Sequence, residues 1–129
     1  MAVTLDAGAL LLADRSDRRF WAWWKRAVQL GEDLTVPAPV LAQAWRDGSQ
    51  QSNLSRMLKA CRFVPMSEAL SRRSGELCGR TRTADVVDAL VAVIAAEHGD
   101  DIFTSDPDDI RPLLLAAGGR GRVFTADDL

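Results

Sequence analysis

The stretch "TADVVDALVAVIAAEHGDDIFTSDPDDI", residues 83–110, holds a helix signal, a stop and a strand signal in succession. "TADVVDALVAVIAAEHG" (83–99) starts at an acid, runs through a strong apolar pattern and ends on Gly99, so it is expected to be a helix. "DIFTS" (101–105) is short and apolar, the mark of a buried strand. A helix leading through one glycine into an apolar strand is half of a parallel βαβ unit. The strand then runs into "TSDPDDI" (104–110), where Asp106, Asp108 and Asp109 fall within four positions. Asp-Pro-Asp-Asp is a good helix start, with Asp at the cap, Pro at the first position and acids in the first turn. The C-terminal end of a parallel strand is also where α/β proteins place their ligands.

The same alternation extends outward in both directions. "AVTL" (2–5) is a short apolar strand ending at Asp6, and "AGALLLA" turns helical. "DRRFWAWWKRAVQL" (17–30) is a helix with Phe20, Trp21, Trp24, Ala27 and Val28 on one face, closed by Gly31. "LTVP" (34–37), "FVPM" (63–66) and "RVFT" (122–125) are the remaining strands. Helices are expected at 38–48, 49–61 and 67–80. Pro112 predicts that 106–110 is only a short turn, followed by a new helix from Pro112 to Gly118. Short, wholly apolar strands that alternate with helices make a central, mostly parallel five-stranded sheet covered on both faces, a three-layer α/β/α sandwich. No linker, repeat or low-complexity stretch divides it, so residues 1–129 are expected to form a single domain.

Composition narrows the function classes. The chain is 47% hydrophobic and 26% charged, with a net charge of −2. No apolar run approaches the roughly 20 residues needed to cross a bilayer, and the first residues lack a basic n-region. Cys61 and Cys78 match no metal-ligand spacing. A cytoplasmic protein with reduced thiols and no membrane partner is expected. Charge is uneven: residues 1–82 hold 13 Lys and Arg against 8 Asp and Glu, residues 83–129 hold 3 Arg against 10 Asp and Glu. Such asymmetry could bring a cation and a polyanion to one cleft.

Glycine-rich dinucleotide and P-loop motifs and the G-x-S-x-G elbow are all absent. The single histidine, His98, closes a helix beside Gly99, where it meets the helix dipole, so histidine-based acid/base or zinc chemistry is set aside. Carboxylates remain. Asp6 ends the first strand and Asp106 follows the fourth; if those strands are neighbours, both emerge at one edge. Asp85 and Asp88 are one turn apart on the long helix, with Asp85 read as its cap and Asp88 on a mostly buried segment that demands a partner or a cation. Three converging acids suit a hard cation, Mg²⁺ or Mn²⁺, and that ion serves phosphoryl chemistry without a protein nucleophile.

The pieces "VTLDAGALLLADR", "TVPAPVLAQAWRDG", "DALVAVIAAEHG" and "IFTSDPDDI", in this order and spacing, resemble the PIN domain, and in particular the short VapC-type toxins of bacterial toxin–antitoxin pairs. The resemblance spans nearly the whole chain, and Asp-x₉-His-Gly followed by T-S-D is its strongest part. It implies a metal-dependent endoribonuclease, usually a homodimer, whose groove a cognate antitoxin blocks. It implies Mg²⁺ or Mn²⁺ on Asp6, Asp88 and Asp106, with Thr104 or Ser105 supporting the ligands and Asp85 an extra acid. Two positions depart from the family pattern: Gln43 replaces the usual glutamate after strand two, and Gly8 stands where many relatives carry a hydroxyl. An amide can ligate but brings no charge and cannot serve as a base. A catalytically weakened binding module is therefore the alternative reading, and a phosphohydrolase of small molecules a third. Asp47, one turn beyond Gln43, is read chiefly as a helix end. Phe20, Trp21 and Trp24 are expected to pack, while Trp23 stands off that face as a contact for RNA or antitoxin, with Arg15 and Arg46 as phosphate contacts. In the acidic run, Asp106 is the site residue, able to cap the turn with one oxygen, and Asp108 and Asp109 are structural first-turn acids.

Overall fold

The computed structural model describes Met1–Leu129. Five strands form one all-parallel sheet: β1 (Ala2–Leu5), β2 (Asp33–Pro37), β3 (Arg62–Val64), β4 (Asp101–Phe103) and β5 (Val123–Phe124). Their order across the sheet is β3-β2-β1-β4-β5. The chain builds outward from β1 to one side, then crosses back and builds to the other. The gap between the C-terminal ends of β1 and β4 is thus a topological switch point, where open parallel sheets bind ligands.

Seven helices cover the sheet: α1 (Ala7–Asp14), α2 (Arg18–Gln29), α3 (Ala38–Ala44), α4 (Ser52–Leu58), α5 (Glu68–Thr81), α6 (Val86–His98) and α7 (Pro107–Ala116). α5, α6 and α7 pack on one another, and α6 lies against β1, β2 and β4. α1 packs with α2, α3 and α4. The main core joins β1, β2 and β4 to Leu10, Phe20, Leu54, Met57, Val91 and Ile110, and Leu77, Ala89, Ala92, Val93 and Leu113 form a smaller cluster. No helix is long and apolar enough to cross a membrane.

Most elements lie where the sequence places them. The differences have local causes. The helix expected over 38–48 stops at Ala44, because the buried side chain of Gln51 takes over the next backbone groups. Its Oε1 accepts from the Arg46 and Asp47 amides at 2.7 and 3.0 Å, and its Nε2 donates to the Ala44 carbonyl at 2.9 Å. The segment 49–61 accordingly divides into a 3₁₀ turn, Gly48–Gln50, and α4. The third strand lies slightly earlier than expected, at Arg62–Val64. Pro112 does not split the last helix: α7 runs unbroken from Pro107 to Ala116. Proline there removes only the bond to the Asp108 carbonyl, on a face exposed to solvent, while buried Ile110, Leu113 and Leu114 hold the helix to the core.

Contrary to expectation, Trp23 does not stand off the packed face of its helix. It packs against Phe20, Phe103 and Phe124, with ring centroids 5.7, 5.0 and 5.9 Å away. The inward face of α2 runs through residues 20, 23, 24 and 27, and Val28 is exposed. Trp21 lies beside it, donating to the Ala13 carbonyl and carrying the Arg56 guanidinium 4.4 Å above its ring.

Candidate functional site

β1 and β4 pair in register, with Leu5 beside Phe103. The next residues, Asp6 and Thr104, therefore leave the sheet side by side. Asp6 caps α1 by accepting from the Ala9 amide at 3.1 Å, and its other oxygen accepts from the Thr104 hydroxyl. The amides of Gly8 and Ser105 also reach this carboxylate. Burial raises the Asp6 pKa, and these hydrogen bonds oppose the rise. Asp6 is thus nearly enclosed and rigidly held.

Asp88 approaches from the first turn of α6, behind its cap Asp85, whose carboxylate accepts from the Asp88 amide at 3.0 Å. The Asp88 carboxyl is pushed up to about 7, first by burial, then by the charge and hydrogen bonding of Asp85, then by the charges of Asp6 and Asp106. Asp106 occupies the cap position of α7 but makes no capping bond with its side chain. Its amide instead donates to the Thr104 hydroxyl at 2.9 Å. The expected sharing of Asp106 between cap and cleft does not occur, and its carboxylate stays free.

Asp6, Gly8, Gln43, Asp85, Asp88, Ser105, Asp106 and Asp109 line one cleft of about 340 Å³ at the switch point. Thr104 lies buried behind it. Asp109 is the residue that sequence reasoning set aside. It stands one helical turn after Asp106, and that i, i+3 spacing was the available signal. Asp108 faces a neighbouring hollow with Thr81 and Thr83. No lysine, arginine or histidine lines the cleft. Arg46 turns its guanidinium back onto the Ala42 and Trp45 carbonyls, and Arg15 is exposed at the end of α1, so neither enters it. Asp47 caps the 3₁₀ turn through Ser49. His98 lies 3.7 Å from buried Asp100 and takes no part in the cleft.

The cleft suits a hard divalent cation in kind. Its donors are oxygen and its charge is uncompensated; burial first, and then the neighbouring carboxylates, raise the Asp88 pKa there. As the side chains stand, no three acidic, histidine or cysteine groups are close enough to cage an ion. The geometry offers an open, charged cleft rather than a closed metal cage.

Three solved structures share this fold. VapBC2 from Rickettsia felis, bound to a DNA fragment from its promoter, has a TM-score of 0.70 at 14% identity, covering 97% of this chain and 98% of its own. FitAcB from Neisseria gonorrhoeae has a TM-score of 0.66 at 18% identity, covering 98% and 99%. FitAB bound to an IR36 DNA fragment has a TM-score of 0.61 at 17% identity, covering 96% and 94%. No curated protein is significantly similar in sequence. The PIN domain family model matches residues 3–112, a span that includes every residue of the acidic cleft, and the chain belongs to the PIN domain family.

Proposed function

We propose that the chain is a Mg²⁺- or Mn²⁺-dependent endoribonuclease and the toxin member of a toxin–antitoxin pair. The observation that carries this reading is the meeting of Asp6, Asp88 and Asp106 in one cleft at the switch point, with no basic residue to neutralise them. A divalent ion held there would supply Lewis acidity for phosphodiester hydrolysis. Asp6 would be its fixed ligand, preset by the Thr104 hydroxyl and the Ala9 amide. Asp106, with no cap to make, is free to turn toward the ion. Asp88, with its carboxyl raised to about 7 when no ion is present, would give up the proton it shares near neutral pH as the ion binds. Gln43 would add a neutral oxygen from α3. The likeness to VapBC2 and FitAB complexes supports an antitoxin as protein partner, and a homodimer is the working form that the resemblance to VapC-type toxins implies.

The second reading, a PIN-fold module with weakened catalysis, draws on Gln43 and on the open spacing of the acids. One experiment separates them. Purified protein is incubated with single-stranded RNA and Mn²⁺. Cleavage is expected, and Asp6→Asn should reduce it at least about 100-fold. Cleavage that survives this change, or persists in chelator, would sink the nuclease reading. Activity that appears only in Gln43→Glu would favour the weakened module.

A further inference from the structure

Residues 8 and 105 compete for one space. A Cβ placed on Gly8 would overlap the Ser105 Oγ and stand 2.5 Å from the Ser105 Cβ and 3.1 Å from its backbone nitrogen. Rotating the hydroxyl would relieve only the first contact. The Ser105 backbone is held on both sides, because the Thr104 hydroxyl before it donates to the Asp6 carboxylate and the Asp106 amide after it donates to that same hydroxyl. Glycine at position 8 is therefore what lets Ser105 lean into the cleft.

The donors available there are few. The lining residues are otherwise carboxylates, apolar side chains and Gln43. Thr104, behind them, has its hydroxyl committed, donating to Asp6 and accepting from the Asp106 amide. Ser105 presents the only hydroxyl on the cleft wall. A phosphodiester entering such a pocket repels every carboxylate. Its non-bridging oxygens need donors wherever they do not face a cation. Resting on the nuclease reading above, we infer that Ser105 Oγ donates a hydrogen bond to a phosphate oxygen of the bound RNA, and that Gly8 leaves the space this contact requires. Ser105 is then a substrate-binding residue and Gly8 its positioning partner.

The test reads binding apart from turnover. Affinity for a short fluorescein-labelled single-stranded RNA is measured by anisotropy with Ca²⁺ in place of Mn²⁺. Ser105→Ala should weaken binding about 10-fold, as expected for a lost charge-assisted hydrogen bond. Its melting temperature and its Mn²⁺ affinity should stay at wild-type values. Gly8→Ser alone should lower both stability and RNA affinity. The exchange Gly8→Ser with Ser105→Gly, which returns a hydroxyl to the same space from the other side, should recover both. Wild-type affinity in Ser105→Ala, or loss of Mn²⁺ binding in it, overturns the inference, as does an exchange no better than Gly8→Ser alone. If the exchange variant does not fold, Ser105→Ala decides alone. RNA binding that depends on Ser105, without cleavage in Mn²⁺, refutes the nuclease reading and keeps this one. No RNA binding by the wild type refutes both.

Discussion

Asp88 shows how one residue's environment sets a measurable property. Its carboxyl is held at about 7 in the folded chain, against an ordinary value of 3.8. Between those values the folded chain binds a proton that the unfolded chain has released. Stability therefore falls as pH rises through that window and stays reduced above it. Asp88→Asn should remove this cost. In chelator at pH 8 the variant should melt a few degrees higher, about 1 kcal/mol, because the half-exposed site is screened by solvent. Below pH 4 the two proteins should melt together. A gain that persists there would mean that packing, not charge, is the cause. Asp88 and Asp106 were visible from their spacing to strands and helix ends, but Asp109 was hidden by its good helix-capping chemistry. A residue that suits a first turn gives no sequence sign that the turn also faces a cleft.

The end of α3 is decided at the scale of the element. Nothing in "AQAWRDG" predicts a stop at Ala44, since the apolar pattern continues to Trp45 and Gly48 is the evident terminator. The stop comes from Gln51, seven residues beyond Ala44, whose amide satisfies three backbone groups and reaches Asp14 Oδ2 on α1 at 3.4 Å. Gln51→Ala should cost about 2 kcal/mol in urea denaturation, because a buried carbonyl and two partly buried amides lose their partner. A loss under about 0.5 kcal/mol, the range of an ordinary surface change, would show that water replaces the side chain. α7 teaches the converse. Pro112 is a strong local breaker, yet three buried side chains outweigh one missing hydrogen bond. Local rules fail where long-range burial or a distant side chain contributes more than the local term.

At the scale of the whole molecule, Trp23 joins α2 to the far half of the sheet through Phe103 on β4 and Phe124 on β5. Trp23→Ala should lower stability by about 2–3 kcal/mol, somewhat less than a fully buried tryptophan, with RNA affinity per folded molecule unchanged. Wild-type stability with weakened RNA binding would restore the surface role that its position on a helical wheel suggested. The sequence alone determined the alternation of strand and helix and the parallel sheet, and it marked Asp6 and Asp106 as acids at strand ends, because apolar period and chain order carry that information locally. Only the tertiary structure decided that β1 and β4 are neighbours, that Trp23 packs inward, that Asp85 and Asp109 share the cleft, and that Gly8 makes room for Ser105. Each of these depends on contacts between residues far apart in the chain, where the free energy of burial and of paired polar groups is settled by the whole fold rather than by any window of sequence.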